Sequence, residues 1–286
     1  MAEPVLVIFF YGLITSLIFA LYSVGFSLVF GVARVIDAAY GIWYTTAAYL
    51  IYALATRFLL PLPAVIVLVV ASMAALGISY YSILVRGLKE RIEMIMTTFL
   101  VALMVQYLIV AIFTNFPWSI PALFPGSTQV FGVSLFNQQV AAAVTAFLLL
   151  LVLWYIVYRT KIGLAIRAVA QDREAALLMG IDPDRVMAFT LALSCTLAGI
   201  AALLQAPNSV ISPVMGWPML TLAFAVVVLG GMGDFFGAIL ASFIIGYSHQ
   251  LITNLVNPLY SMAAAFVAIL LVLWLRPRGV FGRSLE

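Results

Sequence analysis

The chain alternates long apolar runs with short polar segments, and the length of the runs predicts helices that cross a membrane. A hydrocarbon core about 30 Å thick is spanned by about 20 predominantly apolar residues in a helix. The run at 217–231 is short and ends in a glycine-rich stretch, so it is either a full crossing or a broken, partly re-entrant helix. The pattern therefore predicts eight or nine transmembrane helices. The predicted spans are residues 5–30, 38–56, 62–85, 94–114, 137–158, 186–204, 217–231, 237–253 and 259–275.

Composition excludes a soluble domain, because 66% of the 286 residues are apolar, only 8% are charged and the mean hydropathy is +1.23. We expect an all-α polytopic membrane protein with a single transmembrane domain over residues 1–286. The first ten residues contain Glu3 but no Lys or Arg, so the first apolar run is expected to be a retained helix rather than a signal peptide. The single cysteine, Cys195, excludes an internal disulfide framework.

The basic residues predict the orientation of the chain, because Lys and Arg are retained on the cytoplasmic side of a membrane. With the N-terminus outside and the C-terminus in the cytoplasm, twelve of the thirteen basic residues face inward and only Arg57 lies outside. This orientation requires an odd number of crossings, which favours nine over eight. The outer segment 115–136 carries no charge and is expected to be a compact turn region with Trp118 at headgroup depth.

The largest polar segment, residues 159–185, is predicted to lie in the cytoplasm. Residues 162–179 are rich in helix formers, and Gly180 suits the left-handed conformation that ends a helix. Asp182 and Pro183 then suit the N-cap and the first position of the next helix. The sequence thus predicts a helix, a corner and a new helix. The first helix is either an ordinary interfacial helix or an amphipathic helix that transmits motion from a soluble motor to the membrane spans.

Three separated motifs carry a resemblance to a known family: RAVAQDREAALLMGID at 167–182, VVVLGGMGDFFGAILASFIIGY at 226–247 and LRPRGVFGR at 275–283. The stretch at 20–41, ALYSVGFSLVFGVARVIDAAYG, extends the similarity over nearly the whole chain. In these motifs the chain resembles the permease subunits of the branched-chain amino acid ABC importer family. That family also includes importers of urea, short amides and some organic acids.

The resemblance implies the type II ABC importer permease fold and a permease subunit that moves a small solute across the bacterial inner membrane into the cytoplasm. A branched-chain or other hydrophobic amino acid is the expected solute, and urea, a short amide or an aromatic or organic acid is the alternative. The implied partners are a second permease, two ATPases and an extracytoplasmic solute-binding protein, with no role for nucleic acid. ATP and Mg belong to the ATPases and no cofactor to this chain, which indeed contains no GxxxxGK[ST] phosphate loop.

In the family, an EAA-type loop docks in a groove of the ATPase, and Glu174 begins the matching segment of this chain. The downstream Ile-x-Leu-Pro element of the family consensus is missing, because residues 190–194 contain no proline. The resemblance assigns the ATPase contact to Arg167, Asp172, Glu174, Ala175, Ala176 and Gly180.

The chain departs from the family after the first span, where an Asn-x-Ala-His-Gly pattern is common and Asp37-Ala38-Ala39-Tyr40-Gly41 stands instead. Asp37 is either a cap of the second helix or part of the pathway, and in the second case a changed solute is expected. Gln106 suits either a contact between helices or the pathway. The glycines after residue 229 either permit close helix packing or break a helix beside a polar cavity. The candidates for the translocation path are Asp37, Tyr40, Gly41, Gln106, Ser212, Gly230, Gly231 and Gly233.

Two other classes of protein fit less well. Residues 231–234 match the GxGD signature of intramembrane aspartyl proteases, but the only other acid near an apolar span is Asp37, and the Pro-Ala-Leu element at 121–123 precedes the signature instead of following it. A passive channel or secondary transporter often carries paired intramembrane charges or obvious repeats, and we find neither. The single histidine, His249, excludes a histidine-based metal cluster. We therefore expect a transport subunit without enzymatic activity.

Overall fold

The computed structural model describes residues 2–88, 90–120, 124, 126–130, 132–261, 266, 267, 270 and 274. The predicted elements at 121–123 and 275–283, and most of the predicted span at 259–275, lie outside these residues. The helices of the described part are α1 (Ala2–Ala33), α2 (Tyr40–Tyr52), α3 (Leu62–Tyr80), α4 (Arg91–Phe113), α5 (Asn137–Arg159), α6 (Lys161–Gln171), α7 (Arg173–Leu178), α8 (Pro183–Gln205), α9 (Gly216–Gly230) and α10 (Phe235–Leu255).

Six of these helices are long and apolar enough to cross a membrane: α1, α3, α4, α5, α8 and α10. Each coincides with a predicted apolar run to within a few residues. Helix α9 has 15 residues, so its length of about 22 Å falls short of a hydrocarbon core of about 30 Å. The chain is therefore a multi-pass helical membrane protein. The count of eight or nine crossings and the single domain over 1–286 stay predictions.

Helix α1 lies at the centre of the molecule and packs against α5, α8, α9 and α10. Its residues Ala20, Leu21 and Val24 are completely buried. Because α1 has neighbours on several sides, it is apolar around its circumference instead of along one stripe. It separates one hydrophobic cluster, formed largely by α2, α3 and α8, from a second cluster that joins α1 to α5 and α10.

The segment predicted as a turn region at 115–136 contains a small β-hairpin, so the prediction of a purely α-helical chain is wrong at this point. Strands β1 (Ser127–Val130) and β2 (Val133–Phe136) pair antiparallel. In β2 the side chains of Val133 and Leu135 are buried and the two between and after them are exposed, which is the alternation of a strand with one buried face. Trp118 pairs with Ile211 through two backbone hydrogen bonds of 3.0 and 2.8 Å. These bonds join the hairpin side of the chain to the segment that precedes α9.

Candidate functional site

The polar loop, residues 159–185, folds into two short helices, α6 and α7, where the sequence predicts one helix over 162–179. That prediction is wrong because Asp172 adopts an extended backbone conformation between them. Its carboxylate accepts hydrogen bonds from the backbone N–H groups of Glu174 (2.9 Å) and Ala175 (3.0 Å). A side-chain oxygen at this position satisfies N–H groups that a helix leaves unpaired, so a new helix starts at residue 173.

The end of the polar loop is as predicted. Gly180 has φ = 83°, the left-handed conformation that glycine adopts without strain, and it closes the turn after α7. The Asp182 carboxylate then accepts from the N–H groups of Asp184 (3.0 Å) and Arg185 (3.4 Å), and Pro183 is the first residue of α8. The corner is therefore set by local chemistry on both of its sides.

The tip of α7 exposes three consecutive apolar side chains. The exposed fractions are 60% for Leu177, 88% for Leu178 and 82% for Met179. Exposed apolar side chains grouped in this way on a polar loop are typical of a surface that contacts another protein or a membrane. Sequence reasoning missed these three residues, although the signal was an apolar triplet directly before the glycine that ends the helix.

The residues assigned to the ATPase contact lie close to this tip, but one of them faces inward. Ala176 is 4% exposed and packs against the hydrophobic cluster of α2, α3 and α8, so it supports α7 from behind. The other five are exposed, and they are Arg167, Asp172, Glu174, Ala175 and Gly180. Asp184 adds an ion pair from the start of α8 to Arg173 (2.8 Å) and a longer one to Arg86 (3.8 Å).

Arg34 joins the polar loop to the end of α1. Its Nη2 atom donates to the carbonyl oxygens of Ala170 (3.0 Å) and Gln171 (2.7 Å), the last residues of α6. The last carbonyls of a helix have no partner inside the helix and carry partial negative charge, so a guanidinium is a suitable partner. Arg34 also has φ = 52°, which turns the chain sharply after α1. The sequence identifies Arg34 only as one of the basic residues that set orientation.

Residues 34–39 bring the chain back among the helices before α2 begins. The Tyr40 hydroxyl donates to the carbonyl oxygen of Tyr22 (2.7 Å), which lies eleven residues before the end of α1, or about 16 Å along its axis. Ala38 N–H donates to the Thr98 hydroxyl of α4 (3.2 Å). Helix α2 thus starts inside the bundle and not at its surface. Non-helical backbone at this depth is tolerated because protein surrounds it.

Asp37 is buried in this returning segment, with 1% of its surface exposed. Its Oδ1 atom accepts from Ala39 N–H (2.9 Å) and from the Tyr80 hydroxyl (3.0 Å). Asp37 is not the N-cap of α2, because that residue is Ala39. Its carboxylate instead bonds the N–H of the N-cap residue, and a role in the pathway stays a prediction. Tyr40 is also buried.

Replacing Asp37 with alanine is expected to lower the free energy of unfolding by about 2–4 kcal/mol, because Ala39 N–H and the Tyr80 hydroxyl both lose a buried acceptor. Asp37→Asn keeps an acceptor oxygen at the same place and is expected to stay close to wild type. Thermal unfolding of the purified protein in detergent measures both. An equal loss in the two variants would show that the charge matters and not the acceptor.

The first residues of α2 and α9 meet backbone to backbone at Gly41 and Gly216. A Cβ atom on Gly41 would lie 2.5 Å from the Gly216 carbonyl oxygen, and a Cβ atom on Gly216 would collide with the Gly41 carbonyl oxygen. The Trp217 indole N–H donates to the Gln106 side-chain oxygen (2.6 Å), which ties α9 to α4. Gln106 is therefore a contact between helices. Ser212 is partly exposed in the segment just before α9. We call the backbone contact between Gly41 of α2 and Gly216 of α9 the glycine seam.

The other three glycine candidates lie at the opposite end of α9. Gly231 (φ = 104°) and Gly233 (φ = 82°) break the chain between α9 and α10, and the Gly230 backbone packs against that of Gly237. Helix breaking and close packing thus occur together. The Asp234 carboxylate accepts from Gly237 N–H (2.6 Å) and caps α10, an ordinary structural role for the aspartate of the GxGD sequence. Within the described part of the chain, no group of three His, Cys, Asp or Glu side chains is arranged to hold a metal ion.

Comparison with known proteins decides the family. The model of the family described as branched-chain amino acid transport system / permease component matches residues 8–276. The chain belongs to this permease family. Among its relatives is the high-affinity branched-chain amino acid transport permease BraD of Pseudomonas aeruginosa, 29% identical over 95% of this chain and 94% of BraD. LivH of Escherichia coli, the permease of a high-affinity system of the same kind, is 26% identical over 96% of this chain and 94% of LivH.

A second permease named for the same kind of system, LivM of Escherichia coli, is 31% identical over 43% of this chain and 29% of LivM. No solved structure matches the chain. Membership of the permease family makes the protein a component of a membrane transport system and not an enzyme, so the aspartyl protease alternative is discarded.

Proposed function

We propose that this protein is the permease subunit of an ATP-driven importer that carries branched-chain amino acids into the cytoplasm of a bacterium. Similarity to BraD and LivH over almost the full length of all three chains supports the solute class. In the proposed assembly the chain pairs with a second permease and two ATPases and receives solute from an extracytoplasmic binding protein. ATP and Mg are bound by the ATPases. The N-terminus lies outside and the C-terminus in the cytoplasm of the inner membrane.

The coupling step in this proposal begins at the tip of α7. The observation that supports it is the exposed apolar triplet 177–179, because an apolar group on a polar loop marks a contact with a protein or a membrane surface. Its place beside the EAA-type segment favours the ATPase as that contact. The ATPase would grip this tip together with Glu174 and the corner at Gly180. Displacement of α7 and α6 then reaches Arg34, whose two hydrogen bonds hold the last turn of α6 to the end of α1.

The glycine seam is the proposed moving part of the pathway. Two interrupted helices begin inside the bundle and meet there, an arrangement that many transporters use near the middle of the membrane. Arg34 lies six residues before α2, so motion of the polar loop is carried directly to one side of the seam. Gly41, Gln106 and Ser212 are the path candidates associated with the seam, whereas Gly230, Gly231 and Gly233 form the corner at the far end of α9.

Gly180→Pro is expected to uncouple transport from ATP hydrolysis, because proline cannot adopt φ = 83° and cannot donate the hydrogen bond from residue 180 to the Leu177 carbonyl (3.0 Å). Gly180→Asn is the matched control, since asparagine tolerates the left-handed conformation and keeps the N–H group. Uptake into proteoliposomes of the assembled complex measures coupling, with ATPase activity recorded in parallel. We expect Glu174→Lys, which reverses the charge at the same contact, to act in the same direction. Normal uptake and normal ATPase assembly in Gly180→Pro and Glu174→Lys would contradict the coupling role.

The solute class is tested separately on the solute-binding protein of the proposed assembly. A ligand screen by thermal shift is expected to give the largest stabilisation with leucine, isoleucine or valine, because a ligand that binds the folded state stabilises it by an amount that rises with the logarithm of its affinity. A response to urea, short amides or aromatic acids, with none to branched-chain amino acids, would overturn the proposed solute and leave the coupling mechanism intact.

A further inference from the structure

A long apolar groove runs along α5, between α1 and α10. It has a volume of about 1150 Å³ and is lined by the β-hairpin at one end and by Trp154 and Phe236 at the other. From Asn137 to Trp154 the groove follows α5 for about 25 Å, close to the thickness of a hydrocarbon core of about 30 Å. Apart from Thr128 and Asn137, every described residue of its lining is apolar or aromatic.

The wall formed by α5 presents its apolar side chains outward into the groove. Val144, Leu148 and Leu151 are 54%, 55% and 48% exposed, and each of them lines it. Small residues at 141 and 143 give the groove its depth. In a bilayer an open apolar groove of this length is filled by something equally apolar, because it cannot hydrogen-bond water. Acyl chains are the apolar material that surrounds a membrane-spanning helix.

One end of the groove is strongly basic. The Arg159 guanidinium lies 5.9 Å above the ring of Trp154, which lines the groove, and the Arg167 guanidinium lies 5.2 Å above the ring of Tyr158. The Tyr158 ring in turn packs 5.4 Å from Phe236 at the groove wall. Neither arginine, nor the neighbouring Lys161, takes part in a salt bridge between described residues. Two cations are thus held at the polar end of the groove, and no carboxylate of the described residues forms an ion pair with either of them.

We propose that the groove is a binding site for an anionic phospholipid, with its acyl chains along α5 and its phosphate between Arg159 and Arg167. Aromatic rings beneath both guanidinium groups fix their position, and guanidinium is the side chain best suited to phosphate oxygens. The lipid comes from the leaflet on the side of α6, because both arginines lie at that end. The charge at this end favours a lipid over the alternative occupant, an apolar helix of the partner permease, which would leave both cations unpaired.

A photo-crosslinking amino acid at Val144 tests the proposal in the complex purified from native membranes. The expected product is an adduct of this chain with one phospholipid, enriched in anionic headgroups relative to the membrane, as read by mass spectrometry. Arg159→Gln is expected to reduce that enrichment roughly fivefold, and the double variant with Arg167→Gln roughly 25-fold, because each basic residue contributes about one such factor to the binding of anionic lipid.

Arg185→Gln is the matched control, since this exposed arginine pairs with Asp182 (3.0 Å) within its own turn, whereas Arg159 and Arg167 lie over the rings at the end of the groove. It is expected to leave the enrichment unchanged. A crosslink from residue 144 to the partner permease would overturn the proposal in favour of a protein interface. Lipid adducts whose headgroups mirror the membrane composition, or an enrichment that both arginine variants retain, would overturn it as well. Every reading is independent of transport activity.

Discussion

Replacing Leu178 with glutamate is expected to abolish solute uptake while the permease still inserts and folds. Leu178 is 88% exposed in the isolated chain, so the substitution changes the free energy of unfolding by only about 0.5 kcal/mol or less. In the assembly the same position would be covered by the ATPase, and a carboxylate there is buried without a partner. A loss of about 2 kcal/mol or more, roughly a 30-fold weaker association, is typical for a central interface residue. Co-purification of the ATPases with the tagged permease measures this loss of association directly.

Ser127→Glu provides the control for this substitution. It adds the same charge at an exposed position of the β-hairpin, far along the chain from the polar loop. We expect it to leave both ATPase binding and uptake at wild-type levels. If Leu178→Glu retained its ATPases and its uptake, the tip of α7 would be a free surface, and the coupling contact would have to be sought elsewhere on the chain.

Gly216→Val is expected to abolish transport by forcing the glycine seam apart. The new side chain would meet the carbonyl oxygen of Gly41, a backbone atom that cannot rotate away as the end of a side chain can. Overpacking of a tight contact lowers the free energy of unfolding by about 1–3 kcal/mol, and the loss is larger where the backbone itself must move. We expect reduced folded yield, a lower unfolding temperature and no measurable uptake.

Gly87→Val is the matched control for the seam, because a Cβ atom at that glycine has no atom within 4 Å. The same substitution there should change stability and uptake little. Similar behaviour of the two valine variants would mean that α2 and α9 do not need to touch for transport, and would remove the seam from the proposed pathway.

The sequence predicted the membrane helices well because each one depends on a continuous apolar run and not on contacts with distant residues. The apolar run at 62–85 coincides with α3 and the π-helical turn that extends it to Val85, since only chain of that length and composition is stable across a bilayer. The cap at Asp182 was likewise predictable, because its carboxylate bonds the N–H groups of the second and third residues after it. The corner at Gly180 was predictable because glycine adopts the left-handed conformation without a distant partner.

Contacts between distant parts of the chain could not be predicted from the sequence. Nothing near Gly41 indicates that it will touch Gly216, and nothing near Arg34 indicates that it will bind the end of α6. The break at Asp172 was missed for another reason, because the residues on both sides favour a helix and only the cap separates α6 from α7. The β-hairpin was missed because two strands of four residues are too short for a clear alternation.

Arg34 donates its hydrogen bonds to main-chain atoms, so the side chains of the polar loop can change without loss of this contact. Its two hydrogen bonds end on carbonyl oxygens, which every amino acid possesses, so substitutions of Ala170 or Gln171 leave both acceptors in place. An insertion or deletion in α6 would instead rotate those oxygens away from the guanidinium. The contact between Arg34 and α6 therefore tolerates changes in the sequence of α6 but not in its length.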